Sequence, residues 1–255
     1  MTCFTEMTEN ASNQAESPDD RPVALIAGAT GGVGQQCTLD LIRKGYRVIA
    51  LSRSDNHLNE LARRAIAVGP ADRLKTVRVD ITGNRAGQMV RHKIEKEMGR
   101  LDLLLLSSGI TSNKSTDLSE TEVHEVISTN LAGPILLIDE LIPLLLKAEN
   151  PYVVSVASRA GKIGFSDKGL YGASKAGLLL YVQSLNSIPE LKKIRFTSLC
   201  PGWINTEMAR AGGCQLSGKD ILQPEDLSSL LLWLIGSSPR VRINEIIIEP
   251  AQVIK

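Results

Sequence analysis

Short, largely apolar runs alternate along this chain with segments whose apolar residues recur every three or four positions. The runs are Val23–Ala27, 47–51, 76–79, 101–106, 153–156, 195–199 and Glu245–Ile248, all brief and rich in Val, Ile and Leu. They read as strands, and the segments between them, such as 35–43, 58–67 and 87–98, read as amphipathic helices. A strand with one wet face alternates apolar and polar residues; these do not, so the sheet they build is covered on both faces. The expected architecture is a doubly wound α/β fold with a mainly parallel sheet of about seven strands flanked by helices. A Ser119-x-x-Glu122 pair reads as the capping box of a further helix.

A chain of 255 residues can bury one large core, and no Pro/Gly/Ser-rich linker divides it. Residues 23–255 are therefore expected to form a single domain. The first 22 residues are polar and acidic, without the basic start and apolar run of a secretory signal, and are expected to be a disordered tail. With 29 basic against 28 acidic side chains, no bulk charge steers the protein toward nucleic acid. The longest apolar runs, 103–106 and 141–146, fall short of a membrane span. Cys3, Cys37, Cys200 and Cys214 lack metal-ligand spacing, and the three histidines do not complete a set, so no metal site is expected. Reduced thiols and a cytoplasmic location fit that cysteine usage. Cys37, inside the first helix, reads as a packing residue.

The first strand runs into Gly28-x-x-x-Gly32-x-Gly34 and then a helix. Such a turn brings backbone N–H groups and a helix N-terminus up to a pyrophosphate, where larger side chains would block the approach. The spacing differs from Gly-x-Gly-x-x-Gly, and its place between the first strand and the first helix is what gives it weight. The second strand ends at Ser52-Arg53-Ser54-Asp55. A site that prefers NAD usually carries an acid at this tip for the ribose hydroxyls. Arg53 instead suits the 2′-phosphate of NADP, with Asp55 the rival reading or a helix starter. Asp80, after the third strand, reads equally as a contact to adenine or as a turn former.

Tyr171-Gly172-Ala173-Ser174-Lys175 carries the chemistry. On a helix, positions four apart share a face, and a cation beside a phenol favours phenolate, bringing proton transfer into range. A surface cation–π pair is the plainer alternative. Ser158, at the end of the preceding strand, belongs to the same crevice if ligands bind at the carboxyl edge of the sheet.

Taken together, these residues resemble the short-chain dehydrogenase/reductase family over nearly all of 23–250. The matches are the glycine turn, Asp80, Asn130, Ser158, Tyr171 with Lys175, and Pro201-Gly202 followed by Thr206. The resemblance implies a Rossmann-type oxidoreductase domain with NADP(H) as cofactor. Tyr171 is then the general acid/base and Ser158 holds the substrate oxygen. Lys175 binds the nicotinamide ribose and lowers the tyrosine pKa, and Asn130 holds a water in a proton relay. It further implies that Gly28, Thr30, Gly31, Gly32, Val33, Gly34, Ser52, Arg53, Asp80, Ile81, Ser107, Gly109, Pro201, Gly202, Ile204 and Thr206 line the cofactor cleft.

Leu106-Ser107-Ser108-Gly109 departs from the Asn-Asn-Ala-Gly usual in this family, and Ile243 to Pro250 lacks its terminal Gly-Gly pair. The ending is similar to that of hydroxy-acid dehydrogenases and small-carbonyl reductases. Residues 203–223, with Trp203, Met208 and Cys214, read as a substrate flap in which Trp203 either stacks on a ring or braces the loop. Helices 134–146 and 176–185 are apolar over more than one face, implying a homodimer or homotetramer. The expected substrate is a small-molecule ketone, diketone, oxo acid or alcohol. A cofactor sensor that has lost turnover, or an epimerase or dehydratase, are the competing readings.

Overall fold

The computed structural model describes residues 20–251. Of the expected tail, residues 1–19, including Cys3, lie outside the described residues. Seven strands form one sheet: β1 (Val23–Ala27), β2 (Arg47–Ser52), β3 (Leu74–Arg78), β4 (Leu103–Leu106), β5 (Tyr152–Val156), β6 (Arg195–Pro201) and β7 (Glu245–Ile248). Their order is β3-β2-β1-β4-β5-β6-β7 and every pairing is parallel. The helices are α1 (Gly32–Arg43), α2 (Asp55–Ile66), α3 (Ala86–Glu97), α4 (Glu120–Ile127), α5 (Gly133–Leu145), α6 (Gly169–Leu185), α7 (Glu207–Ala211) and α8 (Pro224–Gly236).

The unbroken apolar strands are explained by two cores, one on each face. Val23, Leu25 and Ala27 of β1, with Leu104 and Leu106 of β4, pack under Val90 and Ile94 of α3, Leu137 and Leu141 of α5 and Leu178 and Val182 of α6. Ala24 and Ile26, with Leu103 and Leu105, face Leu39 and Ile42 of α1, Leu58 and Leu61 of α2 and Leu227 and Leu231 of α8. Neighbouring residues point to opposite faces of a strand. Burying both faces therefore requires an apolar residue at every step, and each large side chain contributes roughly 1.5–3 kcal/mol. The edge strands escape the rule. β3 exposes Lys75 and Thr76, and Ile247 of β7 is half exposed.

Several bounds differ from those read in the sequence. β3 begins at Leu74 and ends at Arg78. β4 begins only at Leu103, because Leu101 turns its N–H to the Leu144 carbonyl (3.2 Å). The first helix starts at Gly32, so two of the turn glycines are helical residues. Half of the expected capping box forms. Ser119 Oγ accepts from Glu122 N (3.2 Å), while the Glu122 carboxylate turns to Ser112 Oγ (2.8 Å) and to Lys114 (3.6 Å). The α4 helix continues through a π turn, Ser128–Ala132, into α5. The resulting rod, Glu120–Leu145, is long and apolar enough to cross a membrane by length and composition, and it exceeds the short runs seen in the sequence. Here Val126, Leu137, Ile138, Leu141 and Leu144 of that rod are buried.

The order of strands reverses between β1 and β4. The chain leaves β1 toward β2 and β3 on one side, and β4 begins the other half. At such a switch point the loops at the carboxyl ends part and leave a crevice. The exits of β1, β4, β5 and β6 are all at this edge.

Candidate active site

Gly28 follows β1 with φ of +81°, and a Cβ there would lie 2.5 Å from Ser108 N, so the first turn residue has to be glycine. A Cβ on Gly34 would meet Gly28 O at 2.2 Å and Ser107 Oγ at 2.8 Å, whereas one on Gly31 would find only Gly28 O at 3.5 Å. Gly32 is walled by Thr206 Cγ2, 2.6 Å from where its Cβ would be. Val33 is buried in α1 behind the turn. The start of α1 thus presents bare backbone N–H groups, the kind of helix N-terminus that suits an anion.

Ser107 fills the gap left by the missing asparagine. Its Oγ donates to Ala27 O (2.9 Å) and lies 3.4 Å from Gly28 O, bracing the β1 exit against the β4 exit. At the tip of β2, Ser52 Oγ shares a hydrogen bond with Thr30 Oγ1 (2.8 Å). Arg53 is exposed beside them. Asp55 is the first residue of α2 and pairs with Arg78 (3.2 Å), which makes it a helix starter. Asp80 Oδ1 accepts from Thr82 N (2.9 Å) and Thr82 Oγ1 (2.7 Å). Burial pushes its carboxyl upward, but these bonds and the nearby Arg53 charge hold it below the usual value. Asp80 thus closes a turn. Ile81 packs beside Gly133, whose Cβ would sit 3.1 Å from Ile81 Cγ1.

Tyr171 and Lys175 lie one turn apart on α6, as the spacing predicts. Ser158 follows β5; its Oγ accepts from Ala160 N (3.1 Å), as a turn hydroxyl does, and it stands near enough to Tyr171 to oppose the rise of the phenol pKa. The Lys175 ammonium is buried, donates to Val156 O (2.9 Å) and stands 5.9 Å from the Tyr171 ring centroid. The expected depression of the phenol pKa is not what this arrangement produces. Burial raises the Tyr171 pKa, with only the Ser158 hydrogen bond opposing it. Burial also lowers Lys175 to about 8, against an opposing contribution from Cys200. The ammonium is aimed at a carbonyl rather than at the phenol oxygen.

Asn130 is fully buried in the π turn. Its Oδ1 accepts from Ile110 N (2.8 Å), and its Nδ2 donates to Ile110 O (2.9 Å) and Ser174 Oγ (3.0 Å). Ser174 Oγ in turn donates to Tyr171 O (2.7 Å). A Cβ on Gly109 would lie 3.2 Å from both Asn130 Oδ1 and Lys175 Nζ, so the β4 exit, the π turn and the catalytic helix meet there. Ser174 had no role in the sequence reading, although it stands within the Tyr-to-Lys motif.

Pro201 ends β6, and Gly202 donates to Ile248 O (2.8 Å). Ile204 bridges to Leu222, and Thr206 caps α7 by accepting from Ala209 N (3.3 Å). The flap is thus stapled at its base and carries α7 across the glycine turn. Trp203 braces it, since a Cβ on Gly212 would lie 3.2 Å from Trp203 Cζ3. Cys37 is buried in α1 with its thiol pushed up to about 12, consistent with packing. Two side chains at the flap tip, Lys168 and Asn113, were not singled out by any sequence pattern. Lys168 Nζ donates to Gly212 O (2.8 Å), and Asn113 Nδ2 donates to Ala211 O (2.8 Å).

Comparison with known proteins agrees with this geometry. A family model described as short chain dehydrogenase matches residues 22–214. The farnesol dehydrogenase of Aedes aegypti is 28% identical over 239 residues, covering 89% of this chain and 95% of that protein. An uncharacterized oxidoreductase of Staphylococcus saprophyticus is 25% identical, with 89% and 97% covered. Among solved structures, a β-ketoacyl-[ACP] reductase from Bacteroides thetaiotaomicron is 26% identical with a TM-score of 0.79, covering 91% of this chain and 98% of that one. The actinorhodin polyketide ketoreductase solved with NADPH shares the fold, with a TM-score of 0.80 at 23% identity and 90% and 96% covered.

The glycines supply a direct test of the cradle. Gly34→Ala forces a methyl into the Gly28 carbonyl and is expected to lower the melting temperature and abolish dinucleotide binding. Gly31→Ala, whose methyl makes only an ordinary contact with Gly28 O at 3.5 Å, keeps the wild-type melting temperature. Thermal melts and fluorescence titration with NADPH read both outcomes.

Proposed function

The chain belongs to the short-chain dehydrogenase family, and from that premise we propose that it is an NADP(H)-dependent carbonyl reductase. Its substrate is a small or medium ketone, diketone or oxo acid, and the reverse reaction oxidises the matching secondary alcohol. What carries this reading is the placement of Ser158 beside Tyr171 at the carboxyl edge of β5, near enough to oppose the rise of the phenol pKa, with Lys175 on the same helix face. The names of two relatives support it, one a farnesol dehydrogenase and the other a ketoacyl reductase. Cofactor choice rests on Arg53, exposed at the β2 tip with serine in place of an acid beside it. Folds of this shape solved with NADPH, NADP and 5-hydroxy-NADP support the same choice.

In the reducing direction, the substrate oxygen is held by Ser158 Oγ and protonated by the Tyr171 hydroxyl. Because burial raises the phenol pKa, Tyr171 carries its proton throughout the neutral range and is a ready acid. Lys175, protonated below about pH 8, is placed to meet the ribose hydroxyls of the bound cofactor. Asn130 and Ser174 hold the β4 exit and the Tyr171 backbone in register. When bound, the cofactor supplies hydride from C4 of its nicotinamide. The reaction described requires no metal.

Leu136 of α5 and Leu180 of α6 are 60% and 65% exposed, which supports a homodimer or homotetramer built on these helices. Reading the cysteines as reduced thiols supports a cytoplasmic location.

Four outcomes are expected. Tyr171→Phe loses at least ~10²-fold in kcat while keeping its NADPH affinity. In the wild type, reduction is flat across the neutral range and oxidation climbs with pH, because oxidation needs the scarce phenolate. Absorbance at 340 nm with a panel of ketones, diketones and oxo acids measures both, and reduction falling from pH 7 would contradict the neutral phenol. Arg53→Ala lowers kcat/KM with NADPH roughly ten-fold or more through loss of charge-assisted bonds, with the NADH value little changed. Sedimentation at micromolar concentration shows a dimer or tetramer, and Leu136→Asp with Leu180→Asp shifts it to monomer.

A further inference from the structure

Lys168 is a buried cation that the chemistry above does not use. Only 7% of it is exposed, and its ammonium is saturated by three partners. It donates to Asn113 Oδ1 and to Gly212 O (2.8 Å), and it pairs with Asp167 (3.0 Å). Gly212 is the residue that caps α7, and Ala211, the last residue of that helix, gives its carbonyl to Asn113 Nδ2 (2.8 Å). The final carbonyls of a helix have no partner within it and carry the negative end of its dipole. Here a cation and an amide from two other loops supply the missing donors.

These contacts differ in kind from those at the base of the flap. The base is stapled by backbone, with Asn205 N on Leu222 O (2.7 Å) and Leu222 N on Trp203 O (3.0 Å). The end of α7 is held by the side chains of Lys168 and Asn113. The same residues also start the catalytic helix. Lys168 O accepts the first α6 bond from Gly172 N (2.6 Å), and Ser115 Oγ, two residues after Asn113, accepts from Gly169 N (2.8 Å). Tyr171 is three residues beyond Lys168, so flap tip, helix start and proton donor share one anchor.

We propose that Lys168 and Asn113 form a clasp that holds the flap closed over bound dinucleotide and sets the rate at which cofactor leaves. Lys168 is a positioning residue, acting through α7, whose cap Thr206 walls the glycine cradle. The proposal rests on the NADP(H) reading of the cleft and is independent of the acid/base role of Tyr171.

Stopped-flow displacement of NADPH, followed by its fluorescence, tests it without substrate. Losing a buried charged donor is expected to speed dissociation roughly ten-fold or more in Lys168→Met. Asn113→Ala, at an exposed position, speeds it by a smaller factor, and Lys168→Arg restores a rate near wild type by donating to the same carbonyl. Rescue by arginine is the result a purely structural role would not give. If Lys168→Met does not fold, Asn113→Ala decides alone. Unchanged dissociation in the folded variants overturns the clasp. Failure of the wild type to bind NADPH overturns the cofactor reading and the clasp with it, whereas full turnover by Tyr171→Phe overturns only the acid/base assignment.

Discussion

The exits of β1 and β4 approach so closely that no side chain fits between them, and the rest of the site follows from that contact. A Cβ on Gly28 would come within 3 Å of three Ser107 and Ser108 backbone atoms. The approach lets Ser107 Oγ reach the Ala27 carbonyl, and it fixes the start of α1 at the mouth of the crevice. It occurs where the strand order reverses, so the parallel sheet supplies the crevice and the glycines keep it open. Asn130 extends the same bracing one layer outward by gripping both backbone groups of Ile110, and Ser174 passes it on to the Tyr171 carbonyl. The Tyr171 backbone is therefore tied through Ser174 and Asn130 to Ile110, just past the β4 exit.

Burial acts on the catalytic pair in opposite senses. It penalises the phenolate of Tyr171 and the ammonium of Lys175 alike, so the first pKa rises and the second falls to about 8. Around neutral pH the site therefore holds a neutral phenol beside a cation that is close to losing its charge. That balance favours giving a proton over taking one, which agrees with the reductive direction suggested by Arg53. A bound anion would stabilise the ammonium, so cofactor and Lys175 charge reinforce one another.

Much of this was legible before any coordinates. Unbroken apolar runs specify a doubly covered parallel sheet because each residue of a central strand has a core to face. The glycine turn and the Tyr171-to-Lys175 spacing report local geometry that a few residues determine. The effect of that spacing was less legible. Sharing a helix face does not say where a flexible lysine points, and Val156 O captures the ammonium instead of the phenol. Asp55 showed the same limit. Its partner Arg78 is 23 positions away on another strand, and only the β2–β3 pairing brings them together. The rod Glu120–Leu145 was split by its polar Ser128-Thr129-Asn130 step, since a π turn leaves no pattern in hydropathy.

The departures from the family pattern fall on residues that brace rather than react. Replacing the family's asparagine by Ser107 shortens the side chain, but its hydroxyl still reaches Ala27 O because the β1 and β4 exits are already in contact. By contrast, Trp203, Met208, Lys168 and Asn113 lie beyond the sheet edge, outside the two cores that dictate the strand residues. Burying Lys175 with its ammonium on Val156 O, next to a phenol that burial keeps protonated, costs stability that packing alone would not demand; the arrangement makes sense where a proton has to be held ready at this edge of the sheet.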